Sequence, residues 1–153
     1  MAANPYAAPK SSVNDPDAPQ FQFSVSLIGM LAATGAGYIL NLLYGNLAQW
    51  SLLSRGVPLN ELYSSVASSP LHNVVGNLLN VIACALVGYW MAKLSPQRAV
   101  IHAIAAGALV WLPVTIGWVN PYEMPHPAWS MLLTYLTPIP SLLLGVAWFR
   151  RRA

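Results

Sequence analysis

The chain has 153 residues, of which 7 are Lys or Arg and 4 are Asp or Glu, so charged residues make up 7% against 56% hydrophobic ones. A soluble globular domain carries roughly 25% charged residues, and a mean hydropathy of +0.52 excludes that class. The net charge of +3 does not indicate nucleic acid either, because three of the seven basic residues are the consecutive Arg150, Arg151 and Arg152 and no basic stripe interleaved with aromatics is present.

The charges divide the chain into charge-free runs over 18–54, 62–92, 99–122 and 124–149, each longer than the roughly 20 residues that cross a bilayer core as a helix. Residues 1–20, with four prolines and no apolar periodicity, are expected to be a disordered cytoplasmic tail. Lys10 stands alone there, Asp15 and Asp17 follow it, and the next run is too long for a signal-peptide core, so no cleavage is expected. The transmembrane domain then occupies 21–153.

The first span is predicted over about 23–45. The surplus before Pro70 contains Gln49, Trp50, Arg55, Pro58 and Glu61 and should lie at the interface, with a short helix starting near Leu59. A second span is predicted over about 71–92, closed by Lys93 and a Ser95-Pro96 turn, and a third over about 99–119. Three prolines in residues 120–127 end that helix, and the fourth span follows over about 129–149. Pro113, Pro138 and Pro140 should kink their helices, since neighbours in a bilayer can satisfy the freed carbonyls.

The basic residues assign the two sides. Lys10, Lys93, Arg98, Arg150, Arg151 and Arg152 collect on one and Arg55 alone on the other, so both termini and the turn before Arg98 should be cytoplasmic. The expected fold is an all-α integral membrane four-helix bundle. Its lipid-hidden faces are marked by residue spacing. Gly29, Ala33, Gly37, Asn41 and Gly45 recur at steps of four; Asn73, Asn77, Asn80, Cys84 and Gly88 recur at steps of 4, 3, 4 and 4; Ser130, Thr134, Thr137, Ser141 and Gly145 repeat those steps. Lipid does not reward exposed amides, so these stripes should face one another for close packing and interhelical hydrogen bonding, or else line a polar path.

Chemistry-bearing residues are few. Cys84 is the single cysteine and sits in mid-run, which excludes an intramolecular disulfide and a CxxC centre. His72 begins the second span at its outer end, whereas His102 lies near the inner face, about 25 Å away in depth, too far for both to ligate one haem iron. His72 and His126, with Glu61 and Glu123, are weak outer-face candidates for zinc binding or acid–base work, without HExxH or comparable spacing. No catalytic residue, cofactor or metal is therefore expected.

The segment Asn4-Pro5-Tyr6-Ala7-Ala8-Pro9, followed by Val13, resembles the NPYxxP leader of small, uncharacterised multi-spanning inner-membrane proteins of proteobacteria. The resemblance covers about ten residues and implies a bacterial inner-membrane location with no active site to carry over. The expected function is that of a non-enzymatic accessory or assembly subunit, or an immunity-type protein, with the lipid bilayer and a membrane-protein partner or second copy around it. A small transporter or channel using the polar stripes is the alternative, and a membrane enzyme with an outer His/Glu site is the third reading.

Overall fold

The computed structural model describes residues 22–119 and 126–152; the 1–20 tail and Glu123 lie outside the described residues. Helices make up 87% of the described residues and no strand occurs among them. In chain order these are α1 (Phe23–Leu53), a 3-10 turn (Leu59–Glu61), α2 (Leu62–Ser68), α3 (Pro70–Leu94), α4 (Ala99–Val119), α5 (Ala128–Leu136) and α6 (Pro138–Arg150).

With 31 residues, α1 is about 46 Å long, well beyond a hydrocarbon core of about 30 Å. It passes Gly45, where the first span was expected to end, because residues 46–53 contain neither proline nor glycine. It stops where Gly56 adopts φ +85°, a conformation that favours a residue without Cβ. There Gly56 N–H donates to the Leu53 carbonyl at 3.0 Å and Val57 N–H to the Leu52 carbonyl at 3.2 Å. That pair of bonds satisfies carbonyls the helix end would otherwise leave open. The 3-10 turn and α2 then fold back, burying Leu62 and Ala67.

The fourth predicted span is two helices. A bend of 44° separates α5 from α6 at Thr137. The cause is local: Pro138 and Pro140 have no N–H, so the carbonyls of Thr134 and Leu136 lose their donors four residues on. Trp111 Nε1 of α4 donates to the neighbouring carbonyl of Tyr135 at 2.9 Å, which ties the bend to α4. Pro113, by contrast, lies inside α4 without ending it.

α1, α3 and the Ala99–Ile116 part of α4 are long and apolar enough to cross a membrane, and the α5–α6 pair passes the same test as one bent span. The distribution of side chains agrees with a lipid surround. Leu27, Ile28, Leu31, Leu42, Leu78, Leu86 and Leu144 point outward, while the interior holds Ala33, Ala83, Ala92, Ala99, Ala103 and Ala106. Large apolar groups outside and small ones inside reverse the order of a water-soluble globule.

The small residues are where the helices meet. α3 and α6 make the most extensive helix–helix contact. A Cβ on Gly88 would collide with the Leu142 backbone, and one on Gly145 with the Ala85 carbonyl and the Tyr89 backbone nitrogen. Gly29 of α1 receives the sulfur of Met91, whose side chain is fully buried. Gly107 of α4 abuts Ile139, just past the bend.

Gly88→Leu or Gly145→Leu should therefore cost about 1–3 kcal/mol or more in thermal unfolding of the detergent-solubilised protein, because the obstacle is backbone rather than a mobile side chain. Gly35→Ala, with nothing within 4 Å of the new Cβ, should be nearly neutral. Equal effects at Gly35 and Gly88 would refute this packing.

Candidate functional site

Polar side chains gather in the half of the bundle opposite the turn between α3 and α4. Asn73 and Asn77 lie one helical turn apart on α3 and face α5, whose Ser130 and Thr134 have the same spacing. Asn73, Asn77 and Ser130 are all buried. Thr134 Oγ1 donates to Asn77 Oδ1 at 3.3 Å, Asn77 Nδ2 donates to Ser130 Oγ at 2.8 Å, and Ser130 Oγ donates to Asn73 Oδ1 at 2.9 Å. Asn73 Nδ2 in turn donates to the Ala67 carbonyl at 2.7 Å and the Ser69 carbonyl at 2.9 Å. Every donor in this chain points toward α2, an arrangement in which each bond polarises the next.

His126 joins the same chain, its Nδ1 lying 3.1 Å from Asn73 Oδ1. That contact fastens the start of the α5 segment to α3.

A second group lies between α1 and α3. Asn41 Nδ2 donates to Asn80 Oδ1 at 2.9 Å and also to the Gly37 carbonyl at 2.9 Å. Glycines make room for both amides. A Cβ on Gly37 would stand 2.7 Å from Asn80 Oδ1, and one on Gly76 would stand 2.8 Å from Asn41 Oδ1. Nearer the end of α1, the Tyr44 hydroxyl and His72 Nδ1 are hydrogen-bonded.

The stripes read from the sequence thus fall into three environments. Asn73, Asn77, Ser130 and Thr134 bond to one another, and Asn41 bonds to Asn80. Gly29, Ala33, Gly37 and Ser141 are buried packing positions. Thr137 stands at the bend and turns back to α5, its hydroxyl donating to the Leu133 carbonyl at 2.8 Å.

The outer-face candidates do not assemble. His72 turns to Tyr44 of α1 and His126 to Asn73 of α3, because His72 and Asn73 are consecutive on α3 and point about 100° apart. Glu61 is exposed on the 3-10 turn, and Glu123 lies outside the described residues. Among the described residues no group of three or more His, Cys, Asp or Glu side chains converges.

A further interhelical bond lies outside the three stripes. Ser26 of α1 and His102 of α4 are both fully buried and hydrogen-bonded at 3.0 Å, at the opposite end of the bundle from His72. Ser26 precedes Gly29 by three residues, so extending the first stripe by one helical step would have found it. Gly76, which makes room for Asn41 but lies outside the α3 stripe, gave no such signal.

Two predictions follow from these contacts. In a double-mutant cycle, Asn41→Leu and Asn80→Leu should show a coupling of about 0.6–1.7 kcal/mol in detergent unfolding, the range of polar contacts between membrane helices; zero coupling would refute the amide pair. His102→Ala should destabilise by about 2 kcal/mol through the cavity and the Ser26 hydroxyl left behind, clearly more than His72→Ala at a half-buried position. Compared with protein-family models, curated proteins and solved structures, the chain gives no match.

Proposed function

We propose that this chain is a non-enzymatic, four-span protein of a bacterial inner membrane that serves a larger membrane system as an accessory or assembly subunit, or as an immunity-type protein. The observation that carries this reading is the internal pairing of the polar stripes. Asn73, Asn77, Ser130 and Thr134 satisfy one another, and Asn41 satisfies Asn80, so the amides serve the bundle's own cohesion. The beginning of the chain, with its NPYxxP-like leader, supports the inner-membrane assignment.

A partner is favoured by the outer end. There α1 runs past the thickness of the hydrocarbon core, and Leu47, Trp50, Leu59 and Tyr63 are exposed at 71%, 75%, 76% and 52%. Apolar side chains beyond the depth of the acyl chains are best covered by the headgroup region or by another protein.

A carrier or channel is the second reading, and the bend at Thr137 favours it. Interrupted helices recur where transporters bind substrate near the midplane, and this break lies one turn from Thr134 and its bond to Asn77. An enzyme using His72, His126, Glu61 and Glu123 draws less support, since the two imidazoles have different neighbours.

Copurification in mild detergent separates the first two readings: a stoichiometric membrane partner, lost on Trp50→Ala, is expected. Substrate flux through proteoliposomes of the isolated chain would favour the carrier instead. The six-to-one division of basic residues sets the orientation. In a Cys84→Ala background, Ser95→Cys should be labelled by an impermeant maleimide only from the cytoplasm and Glu61→Cys only from outside. Outside labelling of Ser95→Cys would overturn the topology.

A further inference from the structure

Between α1 and α3, on the outer surface of the bundle, lies an open groove of about 540 Å³. Its walls include Ala32, Ala36 and Ile39 of α1 and Ala83, Leu86 and Trp90 of α3. It exists because three of these six side chains are single methyl groups, while the two helices are held together beyond it on both sides. Gly29 packs on Met91 toward one end, and Gly37 and Asn41 meet Asn80 toward the other. The size falls within the roughly 300–1,000 Å³ of small-molecule clefts.

The lining excludes water as a settled occupant, since a bound water needs two or more polar partners and these walls are hydrocarbon. On a surface facing lipid tails, an acyl chain is the occupant that matches it.

The end of the groove carries a charge. Lys93 lies three residues beyond Trp90 and seven beyond Leu86, on the same helical face, and is exposed. It stands just past the last wall residue, at the level where an indole such as Trp90 meets the headgroups. Arg98 follows across the short turn, and Arg150, Arg151 and Arg152 end α6 on the same side of the bundle. Among the described residues this end has no Asp or Glu; Glu61 is at the other.

We propose that the α1–α3 groove and Lys93 form a binding site for one anionic phospholipid, with an acyl chain along Ala32, Ala36 and Ala83 and the phosphate at the Lys93 ammonium. The apolar walls take any phospholipid chain, and the lysine selects the headgroup. A basic residue near a membrane surface favours anionic lipid by about fivefold, and a groove that seats the chain directs this preference to one position. The site rests on the reading of the chain as a multi-pass membrane protein. Failure of that reading would appear separately, as a chain that stays monodisperse in buffer without detergent.

The test is native mass spectrometry of the full chain released from mild detergent and titrated with dioleoyl phosphatidylglycerol or dioleoyl phosphatidylcholine. The wild type should retain one phosphatidylglycerol about fivefold more strongly than phosphatidylcholine. Lys93→Gln should bring the two lipids level, and Ala36→Phe, which fills the groove, should weaken both. An equal affinity of the wild type for both lipids overturns the proposal, as does a preference that survives Lys93→Gln. So does a dimer whose mass persists in place of the lipid adduct, since a second copy would then cover the groove. Should Ala36→Phe fail to fold, the comparison of wild type with Lys93→Gln decides alone.

Discussion

The close approach of α3 and α6 is the constraint on which the rest of the bundle depends. Helices surrounded by lipid gain little from hiding leucines from one another, so their association comes from backbone proximity and from the few polar groups that can pair. Gly88 and Gly145 supply that proximity from both sides of one contact, each leaving no room for a Cβ against the other helix's backbone. With α3 and α6 in register, the α5 helix that precedes the bend is carried over the first turns of α3, and Ser130 and Thr134 arrive beside Asn73 and Asn77.

The bend itself has two causes that work together. Proline at 138 and 140 removes the donors that would have continued the helix, and the Trp111–Tyr135 and Gly107–Ile139 contacts hold the two sides of the bend against α4. α5 meets α3 through the hydrogen bonds of Ser130 and Thr134, and α6 meets it through the glycine contact at Gly88 and Gly145. The kink therefore converts one sequence run into two packing surfaces.

Along the bundle axis the interior changes character. The half near the α3–α4 turn is built from Ala92, Ala99, Ala103, Ala106, Leu142 and Val146 around Met91, with the Ser26–His102 bond beside them. The other half is built from paired amides and hydroxyls. The same end that is apolar inside is basic outside, and the end that is polar inside carries the exposed Trp50, Leu59 and Tyr63. Internal pairing of this kind serves the cohesion of the bundle, which is why an accessory role is the reading proposed.

Much of this was legible in the residues. Charge-free runs marked the apolar helices, since a charge at membrane depth is expensive wherever it falls in sequence. Steps of four and three picked out Gly88 and Gly145 together with Asn73, Asn77, Ser130 and Thr134, because one helical face must hide every such group. The end of α1 was missed: the thickness of the bilayer core had placed it at about Gly45, whereas the local signal was Gly56-Val57-Pro58. What tertiary structure decided was partnership. Which amide meets which, Asn41 with Asn80 and Asn77 with Ser130, depends on helix rotation and relative height, and spacing within one helix carries no information about either. The separation of His72 from His126 has the same origin: both lie toward one end of the bundle, but the rotation set by the α3–α6 contact turns Asn73 toward α5 and His72 toward α1.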